Sequence, residues 1–288
     1  MKRMFSTLVF WFSLAGLLHG TLIATAKSRA TVSDEVIKLQ RAALAAATEG
    51  QEFGPQSPRD IDRHAGRNRR VFGAAPNAAD MTLCDIHFHK NAEHKGGEFT
   101  KFAGNGDGGG YGTGFTYDGR LSALELAKDD VRLDAVEKAG LVPGDTIEIH
   151  FVYSSARATL GNGLGTCLSK TVANPQLRVE AVVAVLVGGP GGAEFGEMAL
   201  IQRRGRLNQT PNLPVDLGTP VVYAGSTTGP SFNEIGSPYQ VTWSVRPRVV
   251  KVSIASLDRW LSDNPFDETR AHGVRNLVVN PDLLSPIK

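Results

Sequence analysis

A β-dominated α+β fold in a single domain is predicted for this chain, and three features of the sequence predict it. Several segments alternate apolar and polar residues with the period of two that a half-buried strand requires. Few stretches carry a helical pattern. The 32 glycines and 15 prolines among 288 residues supply turns for many short elements. With 41% hydrophobic residues the chain can bury a sizeable core, which excludes wholesale disorder. No internal repeat, low-complexity tract or shift in composition marks a second domain.

The elements follow in order. Residues 1–26 read as a secretory signal: Lys2 and Arg3 form a basic start, FSTLVFWFSLAGLL (5–18) an apolar run, and Ala24-Thr25-Ala26 a small-x-small cleavage pattern. A membrane span needs about 20 apolar residues, and His19 and Gly20 interrupt this run. Cleavage after Ala26 would leave one domain over 27–288, exported as a soluble protein into a bacterial periplasm. Within 27–50 a helix is predicted, with Ser33 as its cap, Asp34 and Glu35 at its positive end, and LQRAALAAA as its body. Residues 54–79 read as a basic loop. CDIHFH and DTIEIHFVY alternate as strands, separated by the glycine-rich turn GNGDGGGYGTG (104–114). Residues 121–139 suit either a short helix or an exposed connection. Strands follow at 177–187, 219–223 and 240–254, then a short helix in SLDRWLSDNPF with Ser256 as its cap and Pro265 beyond its end.

Lysine and arginine total 31 against 29 acidic residues, and both surplus charges lie in the leader. That balance excludes a strongly basic surface for nucleic acid or anionic membrane. The two cysteines, Cys84 and Cys167, read first as one disulfide in an oxidising compartment. The alternative is that Cys84, three residues before His87, ligates a metal.

Chemistry concentrates in the histidines. There are seven, and three of them, His87, His89 and His94, fall within eight residues. In a strand, alternate side chains share a face, so His87-x-His89 points two imidazoles into one space. Glu148-Ile149-His150 repeats the device on a second strand. Three imidazoles from two paired strands can take three corners of a tetrahedron and leave the fourth for water, as in a catalytic zinc site. Glu148 is placed to accept a ring N–H behind a ligand and set its tautomer. A lone HxH in a strand is more often without a metal; the second strand carries the reading.

These residues resemble the zinc-site strands of carbonic anhydrases. Gln56-Ser57-Pro58-Arg59-Asp60-Ile61 resembles the QSPxDI segment of the alpha class, Gly225-Ser226-Thr227-Thr228-Gly229-Pro230 is similar to its SLTTPP turn, and Val241-Thr242-Trp243 to its VTW strand. The run CDIHFHKNAEHKGGEF (84–99), after the long N-terminal helix, resembles the delta class, including its bacterial members. The resemblance implies a large, mostly antiparallel central sheet and one Zn2+ per chain on His87, His89 and His150. It also implies Glu148 behind a ligand, a Thr–Glu pair at Thr227 and Glu93, and a substrate pocket walled by Val152, Thr228 and Trp243. The implied activity is reversible hydration of carbon dioxide to bicarbonate and a proton, by zinc-hydroxide attack. Departures from the alpha pattern are the residue missing between Ser226 and Thr227, Gly229 in place of the first proline, and Lys90 in place of an aromatic.

The chemistry suits the residues. Three neutral imidazoles leave a zinc ion its charge, whereas carboxylate or thiolate ligands donate more and blunt its effect on water. A threonine hydroxyl that donates to a carboxylate can only accept from the hydroxide below it. Turnover must also export a proton, and His64, His94 and His272 are candidate carriers. Two rival readings stand beside this one. His87-x-His89-x3-Glu93 fits the first metal motif of cupins, which would make the chain a mononuclear iron or manganese oxygenase with Glu93 as a ligand. The second cupin motif fits poorly. The other rival is a non-catalytic carbonic-anhydrase-like binding module, though such proteins lose zinc histidines and all three remain here.

Overall fold

The computed structural model describes residues 31–70, 72–128 and 132–288; the signal read over 1–26 lies outside them. In chain order the elements are α1 (Asp34–Thr48), β1 (Thr82–Lys90), β2 (Lys101–Phe102), β3 (Phe115–Thr116), α2 (Asp134–Lys138), β4 (Thr146–Ser154), β5 (Leu177–Val187), α3 (Phe195–Met198), β6 (Gln202–Arg204), β7 (Leu207–Gln209), β8 (Val221–Ser226), β9 (Gln240–Ser253) and α4 (Ile254–Ser262). Five strands form one sheet in the order β1-β4-β5-β9-β8, with every neighbouring pair antiparallel except β5 and β9. The fold is strand-rich around this mostly antiparallel sheet, in agreement with the fold class that the resemblance implied.

Both faces of the sheet are buried, which explains why the second half of β5 reads as a near-continuous apolar run although it is a strand. Ile86, Phe88, Ile149, Phe151, Val182 and Leu186 face one core, closed by α3 and α4 through Phe195, Leu257 and Trp260. Val152, Val179, Ala181, Trp243 and Val245 face the other. The imidazoles of β1 and β4 share this second face, because His87 lies directly opposite His150 and His89 opposite Glu148.

Two irregularities set the register. At Cys84 the pairing shifts, so that Leu83 opposes Tyr153 and Asp85 opposes Val152. This bulge turns Leu83 into the first core and Asp85 onto the histidine face. On β9 the shift falls between Val245 and Val249, around Pro247, whose missing N–H cannot join the ladder; its carbonyl accepts instead from Glu98 N–H at 2.9 Å.

Several local expectations need correction. Ser33 sits at the start of α1, but its side chain makes no capping bond. The cap of α4 is Ser253, whose hydroxyl oxygen accepts from Ser256 N–H at 3.3 Å; Ser256 lies inside the first turn and donates its own hydroxyl to the Ser253 carbonyl. Among the described residues of 121–139 only Asp134–Lys138 is helical, and its start is capped from outside, by Asp258 of α4 accepting from Ala135 and Val136 N–H. The hairpin of β6 and β7 had no clear signal in its charged sequence.

Cys84 and Cys167 form a disulfide across 83 residues of chain, and both are fully buried. A crosslink over so long a loop removes conformational freedom from the unfolded chain. Reduction should therefore lower stability by about 2–4 kcal/mol, read as a drop in Tm with reductant; an unchanged melt would count against it. Among the described residues no helix is long and apolar enough to cross a membrane.

Candidate metal centre

His87, His89 and His150 each offer one ring nitrogen to a common point, and these nitrogens lie within 4.8 Å of one another. What stands behind each ring sets its tautomer. His87 Nδ1 is 2.6 Å from Asp85 Oδ2. His89 Nδ1 is 3.0 Å from the Gly273 carbonyl. His150 Nε2 is 2.9 Å from Glu148 Oε1. Carbonyl and carboxylate oxygens only accept, so all three of these nitrogens carry hydrogen. The opposite nitrogens are then lone pairs: His87 Nε2, His89 Nε2 and His150 Nδ1.

The arrangement fits a bound cation. His89 Nε2 is buried with no hydrogen-bond partner, and His150 Nδ1 faces His87 Nε2 at 3.2 Å, where two lone pairs repel unless positive charge lies between them. Burial pushes His89 well below the usual histidine range, helped by its neighbours His150 and His87. Burial likewise takes His150 down to about 4 against the pull of Glu148. Both rings are thus held neutral, as ligands must be. Burial lowers His87 too, but Asp85 outweighs it and leaves His87 raised.

Glu148 is fully engaged. Its Oε1 also meets His94 Nδ1 at 2.6 Å, and its Oε2 accepts from the backbone N–H of Glu93 and His94 at 2.8 and 3.0 Å. Burial opposes its charge, yet His94 and His150 hold the carboxyl well below the ordinary range. From His94 the chain of bonds continues to Tyr223 OH at 2.7 Å, then to Ser57 Oγ at 3.0 Å, which in turn accepts from Ser226 N–H. Gly225 permits this close approach, because a Cβ there would sit 2.0 Å from Ser57 Oγ. QSPRDI and GSTTGP, distant in sequence, meet here.

His94 is therefore not placed to carry protons: it is buried and both ring nitrogens are bonded. His64 is exposed but does not line the cavity above the three histidines. His272 does line it, with its ring centroid 5.1 Å from that of His87 and its Nε2 at 2.7 Å from Glu268 Oε2.

The threonine register also differs from expectation. Thr227 Oγ1 pairs with Ser237 Oγ at 2.6 Å, whereas the hydroxyl that favours the Glu93 carboxylate is that of Thr228. Glu93 Oε1 accepts from Arg275 N–H at 2.9 Å, leaving Oε2 without a partner at full bonding distance. Burial and the charge of Glu148 push this carboxyl up to about 7. The resemblance could not settle the register, because this turn is one residue short.

The cavity holds about 440 Å³ and is lined by the apolar side chains of Val152, Leu177, Val179, Val241 and Trp243 together with Thr227, Thr228 and Pro230. Sequence reading missed Asp85, Gly273 and Arg275. Asp85 had a signal, since it precedes His87 by two and so shares its face. Gly273 and Arg275 act through backbone groups, which no side-chain pattern reveals. Their segment runs beside β1, with His272 N–H bonded to the Phe88 carbonyl at 2.8 Å.

A β-sheet protein with a three-imidazole centre under an apolar cavity is the class this geometry defines. The family model described as Delta carbonic anhydrase matches residues 78–256, more than half of the chain. The chain belongs to the delta carbonic anhydrase family. Among solved structures, an alpha-carbonic anhydrase of Photobacterium profundum is similar over 85% of this chain and 95% of its own, at 16% identity and a TM-score of 0.27. A comparison with curated proteins yields no match. Family membership displaces the cupin reading, and the geometry agrees: Glu93 Oε1 is 3.6 Å from His89 Nδ1, on the side of the ring away from the metal point.

Proposed function

We propose that this protein catalyses the zinc-dependent, reversible hydration of carbon dioxide to bicarbonate and a proton. The observation that carries the reading is the convergence of three lone-pair nitrogens in an apolar-walled cavity, each fixed from behind by an acceptor. His87 Nε2, His89 Nε2 and His150 Nδ1 would hold the ion. Zinc bound there supplies the positive charge that makes water acidic enough to give hydroxide near neutral pH, an effect for which carbonic anhydrase is itself the type case.

The chain's own residues do the rest. The neutral imidazoles leave the ion's charge undiminished, and Glu148 and Gly273 keep two of the rings from rotating away. Thr228 would donate to Glu93, whose Oε2 has no other partner, and so present only its lone pairs toward the metal point, where it accepts a hydrogen and orients the oxygen that bears it. Arg275 N–H and burial hold Glu93 in place. Val152 and Trp243 offer an apolar wall to a substrate without charge, which gains by leaving water. His272 is the proton carrier in this scheme: it lines the cavity, is partly exposed and has Glu268 beside it. The disulfide supports export to an oxidising compartment, with residues 1–26 as the leader.

Stopped-flow carbon dioxide hydration on protein of measured metal content tests the reading, before and after chelation. One zinc per chain is expected, with hydration lost on chelation and restored by zinc. Metal-loaded protein that does not hydrate carbon dioxide, or active protein free of metal, would reject it.

A further inference from the structure

We propose that a second cavity, between α1 and the paired strands β2 and β3, binds a small organic carboxylate, one negative charge on an apolar body. It is lined by other residues than the cavity above the three histidines and needs no metal, so the zinc reading is not involved.

The spacing along α1 makes one wall. Asp34, Ile37, Lys38 and Arg41 lie three and four residues apart, so they share one face of the helix. That face lines a cavity of about 300 Å³, within the range of small-molecule sites, roughly 300–1,000 Å³. Phe102 and Phe115 line it too, with ring centroids 5.7 Å apart. Glu93 and Arg275, both fully buried, form its inner end.

Every charge at this cavity except one has a partner. Asp34 Oδ1 accepts from Asn105 Nδ2 at 2.8 Å, and Lys38 Nζ donates to Glu35 Oε2 at 3.3 Å. Glu93 Oε1 accepts from Arg275 N–H at 2.9 Å. The Arg275 guanidinium donates elsewhere, to the Ser57 and Phe232 carbonyls at 2.6 and 3.0 Å. Arg41 has neither a hydrogen bond nor an ion pair from its side chain among the described residues. It is exposed at the mouth, yet the protein around it displaces enough water to lower its pKa, and no carboxylate pulls it back.

These features select the ligand. The planar fork of a guanidinium matches the two oxygens of a carboxylate, and one unpaired cation calls for one negative charge. Phe102 is 56% exposed, so an apolar body bound beside Arg41 gains by covering the ring. An inorganic anion would leave Phe102 in water, and a neutral hydrocarbon would leave Arg41 without a counter-charge.

Titration of the purified chain with 3-phenylpropanoate, followed by calorimetry and by backbone amide NMR shifts, tests the site before and after chelation of metal. One saturable site per chain is expected, with shifts along α1 and at Phe102 and Phe115. Arg41→Gln, which keeps a good helix former, should bind roughly 10-fold more weakly. The neutral alcohol 3-phenylpropan-1-ol should bind the wild type more weakly by a similar factor. No saturable binding, equal affinity in Arg41→Gln, equal affinity for the alcohol, or binding lost on chelation overturns the proposal. Should Arg41→Gln not fold, the alcohol and the position of the shifts decide: shifts confined to the surroundings of His87, His89 and His150 overturn it. A chain that binds the carboxylate as expected but neither holds zinc nor hydrates carbon dioxide supports this site and rejects the zinc reading alone.

Discussion

Replacing His150 by alanine should remove zinc binding and carbon dioxide hydration together. His150 is buried between β1 and β5, where its strand neighbours are His87 and Ala181. Glu148, two residues away on the same strand, cannot swing into its place, because it is saturated by His94 and two backbone N–H groups. Zinc sites of four ligands bind with about 10–16 kcal/mol, so one lost ligand is worth roughly 3–4 kcal/mol, or two to three powers of ten in affinity. At ordinary trace zinc the centre would stand empty and turnover would disappear. The ring also packs against Trp243 and His89, at centroid distances of 4.9 and 4.7 Å, so some loss of stability accompanies the change. Melting of the metal-free variant shows whether the fold survives. A folded His150→Ala chain that keeps one zinc and full hydration would sink the three-ligand reading.

Thr228→Ala should lower kcat/KM about 100-fold while leaving zinc content unchanged. The hydroxyl at 228 is the one set against Glu93. Without it nothing restricts the orientation of an oxygen at the metal point, and the buried Glu93 Oε2, which has no other partner, loses its one prospective donor. Thr227→Ala is the contrasting variant. Its hydroxyl bonds to Ser237 Oγ at 2.6 Å and ties the turn to the QSP segment, where Gln56 Oε1 accepts from Ser237 N–H. Its loss should cost about 1 kcal/mol of stability and little activity. The reverse pattern, with Thr227→Ala inactive and Thr228→Ala near normal, would return the orienting role to Thr227. Steady-state kinetics at matched zinc content distinguishes the two.

The ligand set is legible in the sequence because it obeys a strictly local rule. Two residues apart on a strand means the same face, so periodicity alone pairs His87 with His89, and likewise Glu148 with His150. Asp85 obeys the same rule one step earlier, though the bulge at Cys84 hides its phase from Leu83. The orienting threonine is not legible. Thr227 and Thr228 are adjacent in a turn, where neither period applies, and only the packing of that turn on Ser57 and Ser237 decides which hydroxyl meets Glu93. His94 misleads as a proton carrier for a related reason: closeness in sequence to the ligands says nothing of whether Tyr223, from the far edge of the sheet, closes over the ring.

By itself the sequence determined the alternating strands, the single long N-terminal helix, the disulfide partners and the faces on which the imidazoles lie. All of these follow from chain periodicity or from counting. The tertiary structure alone decided the tautomer of His89, since Gly273 O is brought behind that ring by a C-terminal segment, and the bulge that sets the phase of Asp85 behind His87. It also decided α2, which draws its cap from Asp258 in α4, and the bond network from His150 to Ser57. In each case the deciding group is remote in sequence or belongs to the backbone. A hydrogen bond is directional at a scale below one residue, whereas side-chain periodicity resolves only the face.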